Sequence, residues 1–128
     1  MNEEINNIFK NGLQVDNNKI KVYFAYNFNP RLNDYSVPEP VLNEDFITYI
    51  EADEEAFMSY DDDIRYTKSN FEFVIYTKRS NKKIIKNLKN KLKEYDYCWD
   101  GNMGDIYDPE TRYYQKVVKF YKIKLERN

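Results

Sequence analysis

The segment "IRYTKSNFEFVIYTK", residues 64–78, alternates apolar and other side chains over most of its length. Phe71, Phe73 and Ile75 fall on one side of an extended chain, and the residues between them fall on the other side. Side chains of a β-strand alternate between two faces, so this pattern predicts a long strand that contributes to a core.

Further strands are predicted on both sides of this segment. Residues 19–27 and 46–52, "KIKVYFAYN" and "FITYIEA", are rich in β-branched and aromatic residues, as strands usually are. A short strand is expected around residues 103–107, followed by a turn "DPET" and a long final strand. Residues 28–43 contain three of the four prolines and are predicted to form a long surface loop.

Two amphipathic helices are also predicted. Near the start, Asn2 is a plausible N-cap and Gly12 can end the helix, whose apolar residues recur at helical spacing: Ile5, Ile8, Phe9 and Leu13. A second helix follows Ser80 and Asn81 and occupies residues 82–95. Its apolar stripe is expected to contain Ile84, Ile85, Leu88, Leu92 and Tyr95.

This order of elements predicts the α+β class. We expect a mostly antiparallel β-sheet of about four to five strands with two α-helices packed on it. A length of 128 residues is typical of one domain, so residues 1–128 are predicted to form a single domain.

The composition argues against most catalytic and metal sites. The chain has one cysteine and no histidine, which rules out an internal disulfide and removes the commonest general base and metal ligand. It also contains no glycine-rich phosphate loop and no serine in a nucleophile elbow. We therefore expect a protein that is not an enzyme, has no cofactor and binds no metal. Cys98 is predicted to be a small apolar residue in or near the core.

No apolar run approaches the length of a membrane span, and the first residues lack the pattern of a signal peptide. The expectation from these observations is a soluble protein inside a cell, with no membrane partner.

Charge is strongly segregated along the chain, although the net charge is only -2. The acidic segment, residues 51–63, contains no cation and has the acids Glu51, Asp53, Glu54, Glu55, Asp61, Asp62 and Asp63. Residues 78–93 contain no acid and have the cations Lys78, Arg79, Lys82, Lys83, Lys86, Lys89, Lys91 and Lys93. Such separation favours association in which the acidic patch of one copy meets the basic patch of another.

Each charged segment has alternative interpretations. Asp61, Asp62 and Asp63 could bind a divalent cation, but their spacing fits no known loop geometry, and a solvated acidic turn is the favoured interpretation. The lysine-rich helix could follow a phosphate backbone or could present a solvated face. The acidic segment and the sequence pI of about 5.3 count against simple nucleic-acid binding.

The order of several short motifs resembles the tail terminator, or tail completion, proteins of long-tailed bacteriophages. The motifs span roughly residues 44–123, from "FITYIEADEEAFMSYDDD" through "VIYTK" to "IYDPETRYY". The matching positions are Phe46, Ile47 and Tyr49; Phe57 with Asp61 to Asp63; Ile75 to Lys78; and Tyr107, Asp108, Glu110, Thr111 and Tyr114.

This resemblance implies a non-enzymatic virion protein. Members of the family form a hexameric ring at the head-proximal end of the tail tube, stop its polymerisation and join it to the neck. The implied partners are other copies of the chain, the tail tube protein and the neck or head-completion proteins. Viral DNA would pass through the lumen without specific binding. The implied location is the tail and neck of the virion, after assembly in the host cytoplasm.

A hypothesis for the acidic segment follows from this implied role. Residues 51–63 would project from the sheet edge towards the pore or a neighbouring subunit, with their carboxylates as candidates for the lumen wall. Candidates for subunit or partner contacts are Phe57, Met58, Tyr60, Lys82, Lys86, Lys89 and Lys93. Two alternatives remain: another head-tail joining protein, such as a stopper, or a small inhibitory protein whose acidic segment imitates nucleic acid.

Overall fold

The computed structural model describes residues 2–24, 44–61, 64–109 and 112–127, with only the backbone at residues 2, 55–61, 64–65 and 126–127. Two helices are present, α1 (Asn2–Ile8) and α2 (Lys82–Lys93). The strands are β1 (Leu13–Val15), β2 (Asn18–Phe24), β3 (Phe46–Asp61), β4 (Ile64–Thr77), β5 (Cys98–Asn102), β6 (Ile106–Asp108) and β7 (Tyr113–Arg127).

All the described strands belong to one curled sheet that forms half a barrel. Its order is β1-β2-β3-β4-β7-β5, and β6 also pairs with β7. The three longest strands, β3, β4 and β7, lie side by side at its centre, and both of their pairings are antiparallel. The β2–β3 pairing is parallel and joins residues 21–24 to residues 46–49.

One face of the sheet packs against both helices. Phe73, in the middle of β4, is fully buried. Its ring lies 5.7 Å from that of Tyr49 in β3, 5.6 Å from that of Phe120 in β7 and 6.2 Å from that of Phe9, just after α1. Helix α2 adds Ile84, Leu88 and Leu92 to the same core cluster. The alternation in β4 therefore directs its large apolar side chains towards the helices.

The opposite face of the sheet carries a second, smaller aromatic cluster. Phe46 and Tyr113 are buried there, and Tyr23 and Tyr76 pack against them. The rings of Phe46 and Tyr76 stack with centroids 4.4 Å apart. The Tyr113 hydroxyl donates to the backbone carbonyl of Glu44 at 2.6 Å. Burial, together with the nearby carboxylates of Asp45 and Glu44, raises the pKa of Tyr113 to about 12.

The expected sheet of four to five strands under two helices is wrong. The chain is mostly β, with seven strands among the described residues, two short helices and one parallel pairing. Leu13 was expected in the first helix but begins β1, because Gly12 before it adopts a φ of +80°. A Cβ at Gly12 would lie 2.7 Å from the backbone oxygen of Ile20, so glycine permits both the turn and the close β1–β2 contact.

The end of the second helix also differs from the prediction. Helix α2 ends at Lys93, and Asp96 adopts a left-handed φ of 68° while the Tyr97 N–H bonds to the Leu92 carbonyl. Asp is one of the residues that tolerate this conformation. Tyr95 consequently lies outside the apolar stripe and is 40% exposed.

The segment after this helix holds two short strands where one was predicted. They occupy residues 98–102 and 106–108, on either side of most of the expected range 103–107. Cys98, which was predicted to lie in or near the core, is exposed in β5. The predicted loop at residues 28–43 lies outside the described residues.

Candidate functional site

The acidic segment is a continuation of β3 up to Asp61, whereas the sequence predicted that this strand ends at residue 52. It pairs with β4, and the register shifts between Glu51 and Asp53, between Ala56 and Met58, and between Ser59 and Asp61. Such shifts are typical of β-bulges, which bend a strand and increase its twist. Asp62 and Asp63 lie outside the described residues.

Three strands, β3, β4 and β7, remain paired with one another beyond the residues that pair with β2 and β5. Among the described residues, the pairing of β2 with β3 ends at Tyr49, and the pairing of β5 with β7 ends at Tyr121. We call residues 50–61, 64–72 and 122–127 the distal arm. Within the described ranges, the arm has β4 at its centre, with no further strand outside β3 on one side or β7 on the other.

The β3 edge of the distal arm is acidic on both faces. Glu51 and Glu54 pair with Phe71 and Ser69 of β4 and therefore share the face that packs on the helices. Asp53 lies on the other face, where the Asn70 side-chain amide donates to its carboxylate at 2.8 Å. Glu54 and Asp53 are exposed.

The acidic segment also contains the three apolar or aromatic residues predicted to contact a subunit or partner. Phe57, Met58 and Tyr60 belong to β3, but their side chains, and those of Glu55 and Asp61, lie outside the described part of the structure. Their role in subunit contact stays a prediction.

The β7 edge of the distal arm is basic on the helix side. Lys122 and Lys124 pair with Ser69 and Thr67 of β4, so they lie on the same face as Glu54. The opposite face of this edge carries two large apolar side chains, Ile123 and Leu125, which are 45% and 51% exposed. The two edges of the arm thus differ in charge.

A polar link ties this basic edge to α1. The carboxylate of Glu4 accepts hydrogen bonds from the Tyr97 hydroxyl at 2.6 Å and from the Lys122 ammonium at 2.7 Å. Partial burial by itself raises the pKa of Glu4, but these two hydrogen bonds and the positive charges of Lys122 and Lys124 together hold the pKa below its ordinary value. Burial and the hydrogen bond to Glu4 raise the pKa of Tyr97.

The predicted basic face of α2 is present. Its buried side is formed by Ile84, Leu88 and Leu92. The four predicted contact residues of this helix are exposed: Lys82, Lys86, Lys89 and Lys93. Lys89 already packs over the Trp99 ring, with its nitrogen 4.4 Å from the centroid, so it also has a structural contact.

Among the described side chains, no ion pair joins the acidic segment to the basic helix. The ion pairs of the described residues are Lys83–Asp16, Lys91–Glu94, Lys116–Asp105 and Lys122–Glu4. None of these four joins α2 to residues 51–54. Of the acids at residues 51–54, Asp53 and Glu54 are exposed to solvent.

A cationic cleft lies before the first turn of α2. Its volume is about 430 Å³, and its lining residues are Lys78, Arg79, Ser80, Asn81, Lys82, Asp105 and Tyr114. The Asn81 side chain donates to Asp105 at 2.9 Å, which fixes one wall. Its three cations outnumber its one carboxylate, so the cleft has the charge to accept an anion.

Exposed apolar residues also lie near this cleft. Met103, Ile106, Tyr107 and Tyr114 are each between 43% and 51% exposed, and the two tyrosine rings lie 4.9 Å apart. Grouped apolar exposure of this kind is typical of surfaces that contact another protein.

The part of the chain that the structure describes contains no group of His, Cys, Asp or Glu side chains able to hold a metal ion. The side chain of Asp61 and the whole of Asp62 and Asp63, on which the cation hypothesis depends, lie outside this part. Among the described helices, none is long and apolar enough to cross a membrane.

Comparison of the chain with protein-family models, with curated proteins and with solved structures finds no match.

Sequence reasoning identified the acidic segment and the basic helix but missed the basic edge of β7. The signal was available in "VVKFYKIKLER", where Lys122 and Lys124 alternate with Ile123 and Leu125 in a predicted strand. The sequence alone did not show that this strand lies at an edge of the distal arm, because the order of strands in a sheet decides which strands are edges.

Proposed function

We propose that this protein is a structural virion protein, a tail terminator that forms a ring at the head-proximal end of a phage tail tube. The observation that carries the proposal is the order of short motifs over residues 44–123, from the Phe46–Tyr49 strand to the Tyr107–Tyr114 hairpin. A ring of this kind stops tube polymerisation and joins the tail to the neck. It performs no catalysis.

The distribution of charge supports an assembly of identical copies. A closed ring uses heterologous contacts, in which one surface of each copy meets a different surface of the next. The acids at residues 51–54 and the lysines of α2 lie on separate elements and form no ion pair with each other among the described residues. Opposite charges that are not neutralised within one chain favour contact between chains.

The acidic residues also suit a surface past which DNA must slide. Lys and Arg bind phosphates strongly by releasing counterions, whereas carboxylates repel the backbone. Asp53, on the face of β3 opposite the helices, would contribute to such a wall and let DNA pass without specific binding. This part of the proposal needs no base contacts and no cofactor.

The test combines solution mass with imaging. The purified chain is added to tail tubes assembled from the tube protein of a long-tailed phage, and the tube ends are imaged by negative stain. A terminator caps one tube end and prevents further growth when tube protein is added. Tubes that keep their uncapped ends and continue to grow would contradict the proposal. Binding only to a preformed neck complex would instead favour the stopper function.

One different class of function has a specific observation in its favour. The acids of β3 lie along an extended edge, and a row of carboxylates can imitate a nucleic-acid backbone. An inhibitory protein of this kind would be a stable monomer that competes with DNA for a DNA-binding enzyme. Light scattering separates the two functions, since a terminator assembles into a ring.

A further inference from the structure

We propose that the outer edge of β7 in one copy pairs with the outer edge of β3 in a second copy, joining their distal arms into one continuous sheet. This inference rests on the proposed ring function and names the contact that would build it. The occupant of each edge is therefore another copy of this chain.

The backbone of β7 offers hydrogen-bonding groups at this edge. The Val117 carbonyl accepts from the Met103 N–H at 2.9 Å, so it points away from β4. Backbone groups of a strand alternate in direction, and the β4–β7 register is regular from residue 114 to 127. The N–H and C=O groups of Ile123 and Leu125 therefore point to the outer side, whereas those of Lys124 point to β4.

The charges of the two edges are complementary on one face. Lys124 lies on the helix face of β7 next to Lys122, whose ammonium already binds Glu4 of the same chain, and Glu51 and Glu54 lie on the helix face of β3. When two arms form one sheet with their helix faces aligned, cations of one copy come beside acids of the next. Opposite charges on neighbouring strands stabilise a sheet, and like charges destabilise it.

Charged and bulged edges are also a means by which proteins prevent edge-to-edge pairing. To prevent pairing between any two edges, both edges of the distal arm would need charges of the same sign. Here the edges have opposite signs, so pairing of β3 with β3 is opposed while pairing of β3 with β7 is favoured. The bulges bend the acidic edge but do not change the sign of its charge.

The strand directions agree with a rotational ring. Strands β3 and β7 run the same way, because each is antiparallel to β4. Copies related by rotation about the ring axis would pair these edges in parallel. A twofold dimer would instead place β3 against β3 and acid against acid. Six copies with three strands each supply about 18 strands, and a closed barrel of about that size leaves an aqueous channel.

The decisive experiment compares two double variants that differ in the backbone. Ile123→Pro with Leu125→Pro removes two outward N–H donors and keeps apolar side chains, and edge strands tolerate proline where the N–H faces outward. Ile123→Ala with Leu125→Ala keeps the donors and removes the larger side chains. Far-UV circular dichroism verifies folding, and size-exclusion chromatography with light scattering gives the mass.

We expect the wild-type chain and the alanine variant to form oligomers, while the proline variant shifts to the monomer with a dissociation constant raised about tenfold or more. An oligomer that survives the proline changes, or a wild-type chain that is monomeric at its highest soluble concentration, overturns the inference. Loss of assembly in the alanine variant alone would also overturn it, since side-chain docking would then be responsible.

A charge exchange tests the same contact without proline. Glu54→Lys and Lys124→Glu should each weaken assembly, and the double variant should restore it because the opposite charges are then exchanged. Failure of the double variant to recover contradicts the pairing. Edge-dependent oligomers that do not cap tail tubes would contradict the proposed function alone. Capping that is insensitive to all these changes would contradict only the strand pairing.

Discussion

Replacing Glu4 by alanine is expected to destabilise the fold by about 2–3 kcal/mol, although Glu4 is a surface residue of a short helix. Helix α1 has seven residues and would be marginal alone, so its position depends on contacts with the sheet. Glu4 provides the polar part of these contacts through Tyr97 and Lys122.

The magnitude follows from the groups that lose a partner. Tyr97 is only 3% exposed, and leaving its hydroxyl without an acceptor costs about 1–3 kcal/mol. The Lys122–Glu4 ion pair is partly solvated, with side-chain exposures of 16% and 36%, and therefore contributes about 1 kcal/mol or less. Glu3→Ala is the matched control, because Glu3 is exposed in the same turn and should change stability by less than about 0.5 kcal/mol.

A double-mutant cycle in urea isolates the Tyr97–Glu4 interaction. Tyr97→Phe alone should cost about 1 kcal/mol, since the ring keeps its contact with Phe71 and only the hydroxyl is lost. In the Glu4→Ala background the same change should cost nearly nothing, which gives a coupling free energy of about 1 kcal/mol. Equal costs of Tyr97→Phe in both backgrounds would refute the reasoning.

Three further predictions concern pH, backbone and assembly. Hydrogen bonding holds the pKa of Glu4 below its unfolded value, so the stability difference between wild type and Glu4→Gln should be constant well above about pH 4.3. This difference should shrink as the pH falls through the folded pKa. Urea midpoints measured over acidic pH check this, and a difference that grows on acidification would contradict it. Gly12→Ala should lower the free energy of unfolding by about 2 kcal/mol or more, because φ is +80° and the new Cβ would lie 2.7 Å from the carbonyl oxygen of Ile20. Gly104→Ala is the control: a Cβ there has no atom within 4 Å, so thermal melts should show almost no change. Phe57→Ala with Met58→Ala should reduce ring assembly in light scattering, and an unchanged mass would refute their role as an anchor.

Local pattern was sufficient to locate β4 and α2, but not to predict that β3 continues to Asp61. The alternation around Phe73 predicted β4, and the spacing of Ile84, Leu88 and Leu92 predicted α2, because both patterns depend on side chains that are close in sequence. The candidate site was found in part for the same reason, since runs of like charge are visible without a structure. The short strands β1, β5 and β6 were missed or displaced, because their pairing depends on β2 and β7 rather than on their own residues.

The sequence by itself determined that residues 51–63 are acidic, that one face of α2 is basic and that the core is rich in aromatic residues. Only the tertiary structure decided that the acids up to Asp61 follow a strand, that this strand lies at one edge of the distal arm, and that Lys124 lies at the other. It also joined Glu4 to Lys122, which are 118 residues apart. The physical reason is that hydrogen-bonded strand order and long-range contacts depend on the packing of the whole sheet, whereas charge and periodicity are properties of neighbouring residues.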